Sequence, residues 1–136
     1  MAYILVVEDN PQTRRYLERI IRHRSKHELL FAGTGKEAIE KLVDRRPDLI
    51  FLDLFVPQTD CFELFALLRR HPATADIPIV IHTAVPLDPV TQMRVRRMRF
   101  EGFVEFPIEA SELNRVIATA LKRNAVATRR WSPPRA

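Results

Sequence analysis

Five short apolar runs punctuate the chain at fairly even intervals: Tyr3–Val7, Glu28–Ala32, Leu49–Leu52, Ile77–Ile81 and Phe103–Phe106. The first, third and fourth are continuous rather than alternating, the pattern of strands covered on both faces. The second and fifth carry more polar residues and are expected nearer a sheet edge. Between the runs, apolar residues recur at helical spacing. Asn10-Pro11 opens the first such stretch, with Asn as N-cap and Pro at the first helical position, and Tyr16, Leu17, Ile20 and Ile21 share one face. Ala38, Ile39, Leu42 and Val43 mark a second helix, and Leu64, Phe65, Leu67 and Leu68 a third. Val95 and Met98 mark a weaker fourth, and Leu113, Val116, Ile117, Ala120 and Leu121 the clearest, the fifth. Strand and helix in fivefold alternation predict an α/β domain, a parallel sheet with helices on both sides.

The chain has 136 residues, 46% of them hydrophobic, enough for one domain with a proper core. That domain is expected over residues 1–123, with 124–136 (NAVATRRWSPPRA) a basic, disordered tail whose Trp131 is free to dock back. No apolar run approaches the roughly 20 residues that span a bilayer. The N-terminal MAYILVVED lacks the basic region and cleavage site of a signal peptide. A single cysteine, Cys61, excludes an internal disulfide and fits a reducing cytoplasm. The net charge of +5 is concentrated in arginines of the first and fourth helices and the tail. Nucleic-acid binding would rest on that charge alone, because no helix-turn-helix pattern accompanies it; solvated helix faces are the expectation.

Ligands of open parallel sheets sit outside the carboxyl ends of the strands, near the point where strand order reverses. The strand-ending polar residues are therefore the candidates: Glu8-Asp9 after the first run, Asp53 after the third, and His82-Thr83 after the fourth. If the first and third strands are neighbours, three carboxylates converge. Left unneutralised they repel, and at least one pKa rises. Such an oxygen-rich gap suits a hard divalent cation, Mg²⁺ above all. A carboxylate held there can attack a phosphoryl group and form an acyl phosphate, with Thr83 placed to donate its hydroxyl to a phosphoryl oxygen. Glu8 and Asp9 could instead cap the next helix while Asp53 begins a turn. That simpler reading covers each acid but not their meeting with Thr83.

Over residues 2 to about 123 the chain resembles the CheY-like receiver domains of two-component response regulators. The segments that carry the likeness are ILVVEDNP, PDLIFLDLFVPQTD, IPIVIHTA and FVEFPIEASEL. The resemblance implies a flavodoxin-like (βα)5 fold with strand order 2-1-3-4-5. It implies that Glu8, Asp9, Asp53 and the backbone carbonyl of Phe55 hold Mg²⁺, and that Asp53 is phosphorylated by a histidine kinase or phosphotransfer protein. Thr83 matches the hydroxyl residue that moves to the phosphoryl group, and Phe103 the aromatic switch residue. Pro57 and Pro107 match loop prolines, with a cis Phe106–Pro107 bond. A stand-alone response regulator is expected, signalling to a protein target or homodimer partner through the fourth helix, fifth strand and fifth helix. Aspartyl-phosphate phosphatases carry a second Asp two residues past the nucleophile; Phe55 stands there, so a dedicated enzyme is not expected.

The family lysine that precedes the proline after the fifth strand is missing. Phe106 takes its place, and no lysine occurs between Lys41 and Lys122 to rescue it. A charge-assisted hydrogen bond of that kind is worth roughly 1.5–3 kcal/mol. Its loss predicts weaker phosphoryl stabilisation, a raised carboxyl pKa and a marked dependence on Mg²⁺. The alternative it raises is a degenerate receiver, a binding module that works without phosphorylation. Cys61 replaces a common glycine, and Arg99-Phe100 the small residues usual before the fifth strand; Cys61 is expected to be a small core residue and Phe100 to repack the switch surface.

Overall fold

In the structure, a computed structural model describing residues 1–130 with side chains described through residue 123, the five runs form strands β1 (Tyr3–Val7), β2 (Glu28–Ala32), β3 (Leu49–Asp53), β4 (Ile79–Thr83) and β5 (Gly102–Glu105). All pair parallel in the order β2-β1-β3-β4-β5. The more polar β2 and β5 are the edges, as their patterning requires. β4 starts two residues later than the apolar run suggests. Pro78 has no N–H to give a ladder, its carbonyl accepts from Ile50, and the Ile77 N–H turns back to Thr74. β5 likewise runs from Gly102 and ends before Phe106, whose N–H still reaches the Thr83 carbonyl.

The connecting helices are α1 (Pro11–Leu17), α2 (Gly35–Asp44), α3 (Cys61–Arg70), α4 (Pro89–Arg96) and α5 (Ala110–Arg130). Each of the first four starts on a side-chain cap: Asn10, Thr34, Asp60 and Asp88 accept from backbone N–H groups of the opening turn. α1 continues as a π-helical segment over Glu18–Arg24, ending where the Ser25 N–H reaches the Ile20 carbonyl. The widened turn keeps Leu17, Ile20 and Ile21 all buried. α5 extends through Arg130, past residue 123 where the sequence places the end of the domain; Asn124–Arg130 contains no glycine or proline to stop it. Trp131 and the rest of the tail, 131–136, lie outside the described residues.

Alternation along each strand divides the core in two. Leu5, Val7, Ile50, Leu52, Ile79 and Ile81 face Ala38, Leu64, Phe65, Leu68 and Val95 of α2, α3 and α4. Ile4, Val6, Leu49, Phe51, Val80 and Val104 face Leu17, Ile20 and Ile21 on one side and Leu113, Ile117 and Ala120 of α5 on the other. The α5 layer lies close: a Cβ added to Gly102 would stand 2.8 Å from Val116 Cγ1 and 3.4 Å from Val80. Gly102→Ala is therefore expected to cost about 1–3 kcal/mol through overpacking. Urea unfolding measures it, and Gly102→Ala together with Val116→Ala should recover part of the loss.

At the end of the sheet opposite the strand C-termini, Arg69 of α3 ties two loops together. Its Nη1 donates to the carbonyls of Ala75 (3.1 Å) and Ile77 (2.7 Å). Nε and Nη2 both reach the Arg99 carbonyl, and Nη2 also meets Glu101 Oε2 at 2.8 Å. The same carboxylate oxygen accepts the first β4 amide, Ile79 N–H. Part of the arginine-rich surface is thus structural. Arg94 lies 3.9 Å over the Phe62 ring and Arg45 4.1 Å over Tyr3.

Candidate functional site

Where β1 and β3 part towards opposite edges of the sheet, three polar side chains stand in one row. Val7 pairs with Leu52 and Asp53 with His82, so Glu8, Asp53 and His82 lie beside one another across β1, β3 and β4. By strand alternation they continue the face of Val6, Phe51 and Val80 towards α1 and α5. All three are buried: Glu8 is 3%, Asp53 8% and His82 0% exposed. One ligand atom from each lies within 4.8 Å of the other two.

Each side chain is held by its neighbours. Glu8 Oε2 accepts the N–H groups of Asp9 (2.9 Å) and Asn10 (3.1 Å), and Oε1 lies 3.2 Å from His82 Nε2. Arg14 Nε donates to the Glu8 carbonyl. Asp53 Oδ1 accepts from the Phe55 N–H at 3.0 Å, an Asx turn that leads the chain out of β3. The Cys61 thiol donates to the Asp53 carbonyl at 3.0 Å, so Cys61 braces the strand end from the first turn of α3, buried, with burial pushing its pKa up to about 11. The His82 ring packs 4.6 Å from Phe51 and meets Phe106 edge-on at 5.6 Å.

Burial raises the Asp53 carboxyl to about 6, against the pull of His82 and the Phe55 amide and with a smaller push from Glu8. The expected raised carboxyl is therefore Asp53, and the first cause is desolvation rather than repulsion. Burial in turn holds His82 neutral, its pKa lowered to about 4. The pocket concentrates acidic groups, with Glu8 and Asp53 buried and Asp9 exposed beside them.

The other expected residues are arranged differently. Asp9 is exposed at the mouth of the pocket. Phe55 turns its side chain to solvent. Thr83 is buried, but its hydroxyl is engaged with its own loop: Oγ1 accepts the Val85 N–H and donates to the Val85 carbonyl, both at 3.1 Å. Phe103 is half-buried on the α4 side and packs against Phe100, with ring centroids 6.1 Å apart. Phe106 is half-buried between His82 and Tyr16, and its bond to Pro107 is cis.

His82 is the residue that sequence reading passed over. It is visible in the sequence as a strand-end residue, and the signal that places it in the site is strand parity. Asp53 pairs with His82, and successive strand residues point to opposite faces. His82 therefore shares the Asp53 face, and Thr83 starts from the other.

An open, doubly wound α/β domain with buried carboxylates at the β1/β3 switch point is a site built for a cation or phosphoryl ligand. Residues 4–118 match the family described as "Response regulator receiver domain", and the chain belongs to that family. It is 30% identical over 123 residues to the transcriptional regulatory protein AfsQ1 of Streptomyces coelicolor, covering 90% of this chain and 52% of that one. The chain spans about half or less of the first curated relatives it matches, 52%, 35% and 21% of their lengths. Among solved structures, a putative response regulator from Chloroflexus aurantiacus superposes with a TM-score of 0.80 at 26% identity, over 89% of this chain and 98% of that one. The signal receiver domain of a signal transduction histidine kinase from Syntrophus aciditrophicus gives 0.79 at 26% identity, over 100% of this chain and 98% of that one. Receiver domains of this family serve two-component signalling, have histidine kinases or phosphotransfer proteins as partners, and bind Mg²⁺ in the acidic pocket. Among the described residues no helix is long and apolar enough to cross a membrane.

Proposed function

We propose that this receiver accepts a phosphoryl group on Asp53 from a histidine kinase or phosphotransfer protein and signals through protein contacts. The observation that carries the reading is Asp53 itself, a buried carboxylate at the end of β3, fixed through one oxygen by Phe55 N–H and set beside Glu8. In the transfer, an Asp53 carboxylate oxygen bonds to phosphorus as the donor's P–N bond breaks, and the departing imidazole takes a proton. Glu8, Asp53, Asp9 at the rim and the Phe55 carbonyl are the residues that would hold Mg²⁺. Two buried carboxylates with a raised Asp53 fit that cation. When bound, it neutralises charge on the transferring oxygens. Burial keeps Asp53 dry, Glu8 keeps its orientation through Asp9 and Asn10, and Thr83, at the end of β4, is the hydroxyl that would turn inward once Val85 releases it.

The chain then acts as a phosphoacceptor with at most slow self-catalysed transfer. Its output face would be α4, β5 and α5, where Val90 and Met93 are exposed beside Arg94 and Arg96. The test is intact mass after incubation with a small phosphodonor and Mg²⁺. One added phosphoryl group, absent from Asp53→Asn, is the expected result. No added mass with the donor, with Mg²⁺ and with a panel of kinases would sink the reading and favour a phosphorylation-independent binding module.

A further inference from the structure

We infer that the cleft between α3 and α4, at the end of the sheet away from Asp53, binds a nucleoside phosphate. The cleft measures about 660 Å³, within the usual range of small-molecule sites. Its walls come from α3, the loop into β4, the residues that follow α4 and the start of β5, with Arg123 of α5 closing one side. It shares no residue with the carboxylate pocket, so the inference stands or falls apart from the proposed function.

Charge is the first support. Arg97, Arg99 and Arg123 all line the cleft, and among the described residues none of them has a carboxylate partner. Arg97 and Arg99 are exposed, and Arg123 Nη1 reaches only the Glu101 carbonyl, at a long 3.4 Å. Arg69 and Glu101 also line the cleft but are already committed. Arg69 donates to the carbonyls of Ala75, Ile77 and Arg99, and Glu101 accepts from Arg69 and the Ile79 N–H. Like charges gathered in one cleft repel unless an anion comes between them. A phosphate suits that place, because a planar guanidinium engages two of its oxygens at once.

Two further features favour a larger ligand over a bare anion. The inner wall is apolar, formed by Phe62, Phe65, Pro78 and Met98. Arg94 lies 3.9 Å over the Phe62 ring and Arg69 5.0 Å over Phe65. Rings and guanidinium planes of this kind stack on a flat base. At the rim stands Asp76, exposed and without an ion-pair partner among the described residues. A carboxylate there repels a bare anion but accepts from ribose hydroxyls. Phosphate, sugar and base thus each meet a matching part of the wall. An extended nucleic acid would need a continuous basic track, whereas the arginines of α1 lie in the helix layer across the sheet from α3 and α4.

The experiment uses the full, unphosphorylated chain in EDTA, which keeps metal-held phosphates out of the Asp53 pocket. Equilibrium dialysis gives affinities for ADP, GDP, CDP and UDP, with pyrophosphate and the four nucleosides as the separate parts. At least one diphosphate is expected to saturate the chain below about 1 mM, about tenfold or more tighter than pyrophosphate or its own nucleoside. Arg97→Gln with Arg99→Gln, both at exposed positions, is expected to weaken that binding about tenfold or more. Arg15→Gln with Arg24→Gln removes the same charge from the first helical stretch and should change it by less than about twofold. No saturation by any of the four, equally tight pyrophosphate, or equal losses in the two double variants would overturn the inference and leave a solvated basic face. A readout on the wild type fixes the place. The Phe62 and Phe65 ring resonances are expected to shift on saturation, and unmoved rings with ligand bound would put the site elsewhere.

Discussion

Arg69→Ala is expected to lower the free energy of unfolding by about 3 kcal/mol, a large share of the total for a domain of this size. The side chain makes no contact with the carboxylate pocket, so the effect is purely one of stability. One guanidinium satisfies the carbonyls of Ala75, Ile77 and Arg99 and pairs with Glu101. Truncation strands those acceptors together, and an acceptor left without its donor costs more than the bond contributed. Glu101 keeps its bond from Ile79 N–H but loses its counter-charge. Breaking a fully buried pair costs about 3–5 kcal/mol. The lower end applies because Arg69 and Glu101 retain 18% and 24% of their side-chain exposure. Arg69→Lys should recover less than half, since one ammonium cannot span acceptors in two loops. Urea unfolding followed by circular dichroism gives both values. A loss below about 1 kcal/mol in Arg69→Ala would mean the loops hold without the clasp.

Asp53→Asn is expected to stabilise the metal-free protein, increasingly so as pH rises from about 4 to about 6. Asp53 has its folded pKa raised from 3.8 to about 6. A group shifted in that direction contributes stability that is fully present below its unfolded pKa and is lost as pH rises through the folded value. At pH 7 and above the ionised, buried carboxylate is a net cost. The shift corresponds to an upper bound of about 3 kcal/mol, and about 2 kcal/mol is expected after relaxation at the pocket mouth. Asparagine keeps an oxygen for Phe55 N–H and removes the charge. His82 works in the opposite sense: its pKa is lowered from 6.5 to about 4, so its contribution is present above 6.5 and is lost as pH falls towards 4. In the wild type the two partly offset each other between pH 4 and 6.5. In Asp53→Asn the His82 loss stands alone, so the two stability curves converge near pH 4. Saturating divalent metal binds the ionised Asp53 and should close the gap at pH 7. Parallel stability curves across pH 4–8 would show that Asp53 is not the group responsible.

The strands were legible because buried parallel strands are nearly all apolar, and β1 and β2 begin and end where their runs do. β4 starts late because Ile77 is apolar but its N–H is bonded to a turn, and Pro78, whose carbonyl accepts from Ile50, has no N–H to give the ladder. The convergence of Glu8 and Asp53 is legible in the strand ends, given that β1 and β3 are neighbours. The place of His82 needed the pairing of Asp53 with His82, which no local pattern reports. Arg69 reads in sequence like any basic residue near a helix C-terminus, and its partners lie up to 32 positions away. The π-helical turn was equally hidden, since Leu17, Ile20 and Ile21 suit an ordinary helix as well as a widened one.

The Thr83 hydroxyl has one consequence for the idle state. Turned towards Val85, it both gives and receives a hydrogen bond, and rotation towards Asp53 forfeits the two together. At about 0.5–1.5 kcal/mol each, the inward rotamer would hold about a sixth of the population or less in the unmodified chain. Leakage is therefore set by a two-residue loop rather than by the pocket. Any ligand or modification that drives the rotamer inward must favour it by more than those two bonds before the balance tips.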